Sequence, residues 1–378
     1  MLIRCMSALA LASLAGTVSA QCAYNSSILS AFLGQGNPAN GQQQLSSVDW
    51  TYERSQSNGS GRTLLEGVTS TSWNVPNGRG AWGSPTQAYY VPLAGPVYSP
   101  TTSQNQVPFY YRLPSFDGIM LHPNFGAEVA RALMTAPANM TLSTLVVKTE
   151  LLGRASGDAQ IGAKVELAAG GEVVLIPATT IVSLAAAQTL SPSSGLPRTL
   201  AAGDRVVIWT GSGSGGNAAE DWMNVDATLG LAGVPLLNSG NQIFANCGEG
   251  VTLGVSAAGA TSYRWYKDGT ALFDGASGSG ATISGAGTAL MSIAGFSFED
   301  EGMYWCVVGN CIGDRQTAPS PVYMCFGDFN CDGFVNGDDY DSFASLFEAG
   351  DIGADFNHDG FVNGDDYDAF ASRFEVGC

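Results

Sequence analysis

A twelve-position pattern occurs twice near the C-terminus: Asp328-Phe-Asn330-Cys-Asp332-Gly333-Phe334-Val-Asn336-Gly-Asp-Asp339 and, 27 residues further on, Asp355-Phe-Asn357-His-Asp359-Gly360-Phe361-Val-Asn363-Gly-Asp-Asp366. Oxygen-bearing side chains stand at positions 1, 3, 5, 9 and 12, with glycine at 6. A short loop needs this arrangement to turn sharply around a hard cation that takes about six to eight oxygen ligands. The spacing predicts two calcium ions. The first is expected on the side chains of Asp328, Asn330, Asp332, Asn336 and Asp339, the second on those of Asp355, Asn357, Asp359, Asn363 and Asp366. Phe334 and Phe361, at position 7, contribute only a backbone carbonyl. One D-x-N-x-D-G is a chance acidic turn often enough; two in register, each leading into the same downstream pattern, are a repeat.

After each loop apolar residues recur as Tyr340, Phe343, Ala344, Phe347 and as Tyr367, Phe370, Ala371, Phe374. This i, i+3, i+4, i+7 spacing is one stripe on a helix, so each unit is a loop followed by a helix. The stretch before the first loop, Ala318 to Met324, reads as strand and linker, and the entering helix of an ordinary EF-hand is missing. A doubled EF-hand-type loop and helix with Asp at position 12 resembles a dockerin domain over residues 325–378. The resemblance implies calcium-dependent docking to a cohesin-like or cell-surface protein. It also implies that loop positions 10 and 11, here Gly337, Asp338, Gly364 and Asp365, read the partner. That family often has small hydroxylic residues there; a Gly-Asp pair in both copies implies a two-fold related surface and a less familiar partner. Dockerin-like folds bring their two ends together, which would pair Cys325 with Cys378, Cys331 being the alternative partner for Cys378.

Residues 1–20 read as a secretory signal peptide, with Arg4, an apolar run from Leu9 to Ala15 and Val18-Ser19-Ala20 as the cleavage site. The expected protein is secreted, extracellular and without membrane insertion, since no later stretch offers about 18 uninterrupted apolar residues. Net charge is −18, and residues 325–378 hold 13 Asp and Glu against a single Arg, so most of the acidity belongs to the repeat. With three Lys in the chain and no basic stripe, nucleic acid is excluded as a partner. Export makes disulfides the default for the cysteines. Cys22, Cys247, Cys306, Cys311, Cys325, Cys331 and Cys378 are an odd set, so one is left over or pairs between molecules.

Within residues 236–324, Tyr263-Arg-Trp265-Tyr-Lys-Asp-Gly269 and Asp300-Glu-Gly302-Met-Tyr304-Trp-Cys306 resemble an immunoglobulin-like domain, with a strand C tryptophan and the D-x-G-x-Y-x-C of strand F. Val255 stands where the second cysteine of that family's inter-sheet bridge belongs. Cys247 and Cys311 are therefore the remaining candidates in the region.

Residues 21–235 form the third region. Ile161-Gly-Ala163-Lys-Val165-Glu-Leu167 and Met223-Asn-Val225-Asp-Ala227-Thr-Leu229 alternate, and Glu172–Ile176 and Asp204–Trp209 are rich in β-formers. Short strands between Gly, Pro and Ser turns predict a β-sandwich or jelly roll. The fold class expected of the whole chain is thus mainly β, two sandwiches followed by a small α-helical calcium module. Features around His122-Pro-Asn124, Ala202-Gly-Asp204 and Gly215-Gly-Asn217 resemble β-sandwich modules of secreted proteins that are suspected of binding carbohydrate. An aromatic run, Trp73, Trp82, Tyr89, Tyr90, Tyr98, Phe109, Tyr110 and Tyr111, supplies flat rings that either fill the core or stack on a polysaccharide.

Catalysis finds little support. The two histidines are His122, beside a proline, and His358, inside a calcium loop, and no G-x-S-x-G occurs. Asp117, Glu128, Glu150, Asp204, Asp221 and Asp226 are the carboxylates available for a glycosidase pair, but no spacing singles one out. The sequence therefore predicts a non-catalytic modular protein with calcium-dependent attachment and a glycan-binding sandwich. The alternatives are a glycoside hydrolase of polysaccharide catabolism and a structural adhesion protein of the cell surface.

Overall fold

The computed structural model describes residues 22–34, 48–56, 62–64, 66–68, 81–83, 93–96, 115–116, 118–122, 128–152, 158–182, 185–214, 223–246, 250–323, 326–330, 332, 334–357 and 359–376. The chain is mainly β and divides into two compact units. The first comprises Met1–Gly240 with Ser256–Thr261 and Gly309–Arg315; the second comprises Asn241–Val255, Ser262–Val308 and Gln316–Cys378.

The first unit is a sandwich. One sheet runs in the order Glu172–Val182, Asp158–Glu166, Arg205–Ser212, Glu128–Thr135, Trp50–Gln56, Thr63–Leu64, antiparallel throughout. The facing sheet is centred on Met140–Leu151 and Met223–Ala232 and continues through Ile119–His122 to Leu93–Pro96. Alternation decides which residues meet. Trp50, Tyr52, Ala132, Met134, Ile161, Ala163, Val165, Val206 and Ile208 point inward from the first sheet, against Leu121, Leu142, Leu145, Val147, Val225, Ala227 and Leu229 of the second, in one continuous core. A strand, Ala23–Ser27, pairs with Met223–Ala232 and is followed by a short helix, Ile28–Gly34.

Two turns from the immunoglobulin-like stretch of sequence belong to this first unit. Leu236–Leu237 pairs with Ala257–Ala258, and Cys22 is disulfide-bonded to Cys311. Cys311 is thereby withdrawn as a partner for Cys306, which remains a buried free thiol. Beside the bridge, the Asp49 carboxylate accepts the Leu237 N–H at 2.7 Å and is paired with Arg315, while the Tyr24 hydroxyl donates to the Val234 carbonyl at 2.7 Å.

In the second unit the strands expected of an immunoglobulin-like sandwich are present. Gln242–Asn246, Gly250–Gly254, Leu290–Ala294, Thr282–Ser284 and Gly275–Ala276 make one sheet, and Ser262–Lys267 and Gly302–Gly309 are the centre of the other. Trp265 is fully buried, with its indole N–H on the Thr288 carbonyl at 2.9 Å. Tyr304 donates its buried hydroxyl to the Asp300 carbonyl at 2.5 Å, which closes the corner ahead of strand Gly302–Gly309. Burial pushes the Cys306 thiol up to about 11, so it stays protonated and inert. Tyr304→Phe should leave the Asp300 carbonyl without its donor and cost about 1–3 kcal/mol. A urea midpoint lowered by that amount, with native spectra, is the expected result.

Toward the C-terminus of this unit lie helices Gly337–Ala349 and Gly364–Val376, joined through a short 3-10 turn, Ile352–Ala354. Their small core is Phe343, Ala354, Phe356 and Phe370, with Phe343 and Phe370 stacked at 4.2 Å. The residue before the first loop is reached from strand Ser320–Val322, with no helix between among the described residues.

Candidate metal centre

Each loop is held chiefly by its own side chains accepting backbone N–H groups; in the first, Asn330 Nδ2 also donates to Asp332 Oδ2 at 3.5 Å. In the first, Asp332 N–H donates to Asp328 Oδ1 at 3.0 Å and Asn330 Oδ1 at 2.9 Å, and Phe334 N–H to Asp332 Oδ1 at 2.9 Å. In the second, Asp359 N–H donates to Asp355 Oδ1 at 3.0 Å and Asn357 Oδ1 at 2.9 Å, and Phe361 N–H to Asp359 Oδ1 at 2.9 Å. Gly360, at φ +89°, adds its N–H to Asp355 Oδ2 at 2.8 Å, a turn open to glycine because that backbone region excludes most side chains. Gly333, Cys331 and His358 lie outside the described residues, as do Cys325 and Cys378, so the expected end-to-end bridge is not among the structural findings.

Position 12 is the pivot. Asp339 accepts Asn330 N–H at 3.0 Å on one oxygen and Asn336 N–H at 2.9 Å on the other; Asp366 accepts Asn357 N–H at 3.0 Å and Asn363 N–H at 2.8 Å. Both carboxylates are fully buried, at 0% exposure, and no Lys, Arg or His among the described residues forms an ion pair with either. Asn336 caps the first helix, its side chain accepting from Asp338 N–H at 2.7 Å, and Asn363 does the same for Asp365 at 2.8 Å. The module's one basic side chain, Arg373, is spent on Glu301 at 2.9 Å.

Among the described residues no three Asp, Glu, His or Cys side chains are gathered into a closed ligand set. The carboxylates instead take loop N–H groups, and each oxygen so used retains a second lone pair. Oxygen-only donors, a glycine-permitted turn and a buried carboxylate with no ion-paired cation among the described residues fit a hard divalent cation. Phe334 and Phe361 are both 71% exposed, as residues at position 7 can be when only their carbonyl serves. Gly337, Asp338, Gly364 and Asp365 are exposed in the first turns of their helices. A link that spacing alone did not reveal joins the two halves: Tyr340 and Tyr367 hydroxyls are 2.5 Å apart, and that bond raises Tyr340 above the ordinary phenol range.

Three of the carboxylates considered for catalysis, Glu150, Asp204 and Asp226, accept hydrogen bonds within the first unit. Glu150 is buried and accepts from Ser115 N–H at 2.7 Å and Asn224 Nδ2 at 2.9 Å, and Asp204 accepts from Ala168 and Ala201 N–H. Asp226, raised by burial, accepts from Ser27 at 3.2 Å. His122 is buried within its strand. Asp117, Asp221 and most of the aromatic run lie outside the described residues, as do the side chains of Glu128 and Trp82. A pair that sequence did not single out is Glu53 and Glu166. Burial raises Glu53 against the opposing charge of Arg131; burial would raise Glu166 too, but its bond to Arg131 at 2.6 Å and the charges of Arg131, Arg62 and Lys164 hold it low. Glu166 also binds Arg205 at 2.9 Å, so the network ties strands together.

No protein-family model matches this chain, and no curated protein matches it. Solved structures resemble parts of it at very low identity. The CBM22-1–GH10 modules of the N-terminal endo-1,4-β-D-xylanase 10B of Clostridium thermocellum, complexed with xylohexaose, align at 10% identity and TM-score 0.21, over 37% of this chain and 24% of that one. The chain thus spans about a quarter of that protein's length. The adhesin domain of Epf from Streptococcus pyogenes aligns at 9% identity and TM-score 0.26, over 76% of this chain and 95% of that one. A structure of infectious bursal disease virus, Gx strain, aligns at 9% identity and TM-score 0.24, over 55% of each.

Proposed function

We propose that this is a secreted, non-catalytic modular protein whose C-terminal repeat, a dockerin-like module, takes up two calcium ions and then attaches the chain to a cohesin-like or cell-surface partner, while the N-terminal sandwich binds glycan. One observation carries the reading of the repeat: the same hydrogen-bonded scaffold occurs twice, each time around a fully buried carboxylate, Asp339 or Asp366, with no cationic side chain among the described residues paired to it. Calcium supplies the missing positive charge. The residues placed to hold it are Asp328, Asn330, Asp332, Asn336 and Asp339 with the Phe334 carbonyl, and their counterparts Asp355, Asn357, Asp359, Asn363, Asp366 and Phe361.

The consequence is order at the surface. Gly337, Asp338, Gly364 and Asp365 start the helices that the loops anchor, so fixing the loops presents them already placed, and little entropy is lost when a partner binds. Calorimetric titration of the full chain should give two calcium equivalents. Asp328→Ala or Asp355→Ala should give one, and Phe334→Ala two. Capture of a partner from the producing cell's surface fraction in calcium, but not in chelator, tests docking; equal capture in both moves attachment to the sandwiches. The catalytic alternative requires reducing-sugar release by the full chain.

A further inference from the structure

On the strand Arg205–Ser212, Val206 and Ile208 face the core, so Trp209 lies on the opposite face of the six-stranded sheet. Its cross-strand neighbours are Arg131 on one side and Gly162 on the other. A Cβ at Gly162 would stand 2.7 Å from Trp209 Cε2, 2.7 Å from Cζ2 and 2.8 Å from Nε1. Cε2 is a ring-fusion atom and would be recessed if the indole came edge-on, so the ring presents its face to the glycine. Gly211, two residues along the same strand, would place a Cβ 3.5 Å from Cζ3. Missing side chains at both positions let the indole lie down on the sheet with one face toward the backbone, and Trp209 is half-buried there.

The ring borders a cavity of about 240 Å³ whose other walls include Ser55, Arg131, Lys164, Glu172 and Val174. Its shape follows from the edge strand Glu172–Val182. The ladder to Asp158–Glu166 slips between Ile161 and Lys164, opposite Pro177, which has no N–H to give. The cavity is smaller than the ~300–1,000 Å³ usual for small-molecule pockets and suits one sugar ring at a time. Its charges are already matched: Lys164 binds Glu172 at 2.5 Å and lies 3.3 Å from Glu166, and Arg131 binds Glu166 at 2.6 Å. Among the described wall residues each cation already meets a carboxylate, which disfavours a uronate, whereas sugar hydroxyls both donate and accept and so can bond beside Lys164 and Glu172.

We propose that Trp209 is the stacking platform of a saccharide site on this face and that its ligand is a neutral pyranose unit of a polysaccharide; this rests on the glycan-binding reading of the sandwich and gives it a place. Affinity electrophoresis of the full chain through xylan, β-glucan, mannan and, as acidic polymer, polygalacturonate tests it. The expected result is retardation by at least one neutral polymer and not by polygalacturonate, with Trp209→Ala weakening it about tenfold or more at an unchanged thermal midpoint. Glu172→Gln, at an exposed position, removes one of the two carboxylates that Lys164 meets and should admit polygalacturonate. Full retardation of a folded Trp209→Ala would overturn the site and leave the glycan reading standing. If Trp209→Ala does not fold, unchanged selectivity in Glu172→Gln overturns it instead. Retardation of the parent chain by polygalacturonate would overturn the neutral ligand, and no retardation by any polymer would overturn site and reading together.

Discussion

Chelation of calcium in the full-length chain is expected to melt helices Gly337–Ala349 and Gly364–Val376 and leave the β-sheet signal in place. The core that holds these helices consists of Phe343, Ala354, Phe356 and Phe370, with a few half-buried neighbours such as Tyr340 and Phe347. A segment this short buries too little apolar surface to fold by hydrophobic burial alone. Against it stands the repulsion of 13 acidic side chains facing one Arg over residues 325–378. Asp339 and Asp366 are the most costly, since a buried carboxylate without a counter-charge is tolerated only where something else offsets its desolvation. A cation at a thousandfold excess over its dissociation constant contributes about 4 kcal/mol per site, which is of the order of a small domain's whole stability. Circular dichroism with and without chelator reads it directly, and helix content that does not change would sink the metal assignment. Asp339→Ala and Asp366→Ala should each behave like partial chelation, losing both the ligand and the bonds to Asn330 and Asn336, or to Asn357 and Asn363.

The parts of this molecule that were legible in sequence are those whose geometry is local. The loops are read from spacings of a few residues, and each side-chain bond within them spans no more than nine positions, as in Asn330 to Asp339. The helices follow from Phe343 and Phe370 recurring with their neighbours at helical spacing, and Trp265 and Tyr304, both buried, belong to motifs of seven residues each. What escaped depends on residues far apart in the chain. The buried network of Glu53, Arg131, Glu166 and Arg205 assembles only when four strands are set side by side. Trp209 reads simply as an apolar strand residue until Gly162, on another strand, is found beneath it. Glycine in a strand is a signal of close approach, but it does not say by what. The turn Gly309–Arg315 follows Gly302–Gly309 in sequence, yet it lies in the first unit, where Cys311 is bonded to Cys22.

Opening the Cys22–Cys311 bridge should be among the largest single losses of stability in the first unit. The two residues are 289 positions apart, and closing so long a loop restricts the unfolded chain by about 6 kcal/mol in the chain-entropy view, against the ~2–4 kcal/mol usually measured. The folded side is prepared for the bridge by neutral contacts that persist without it. Asn310 Nδ2 donates to the Gly233 carbonyl at 2.9 Å and to the Gly259 carbonyl at 3.2 Å, and Tyr24 lies against Gly259. Cys22→Ser, Cys311→Ser and the double variant should therefore share one lowered urea midpoint, since each removes the same constraint, and reductant should bring the parent chain to the same value. Removing the neighbouring ion pair should be asymmetric. Burial already raises the Asp49 carboxyl in spite of Arg315, so Arg315→Ala strands a buried charge and should cost about 3–5 kcal/mol at neutral pH. Asp49→Asn keeps an acceptor for the Leu237 N–H and leaves Arg315, which is partly exposed, to water, so it should cost less. Because the raised carboxyl favours its protonated form when folded, the penalty in Arg315→Ala should shrink as pH falls toward the Asp49 titration. A midpoint for Arg315→Ala that is indifferent to pH, or a parent chain indifferent to reductant, would show that neither the charge nor the bridge carries this part of the fold.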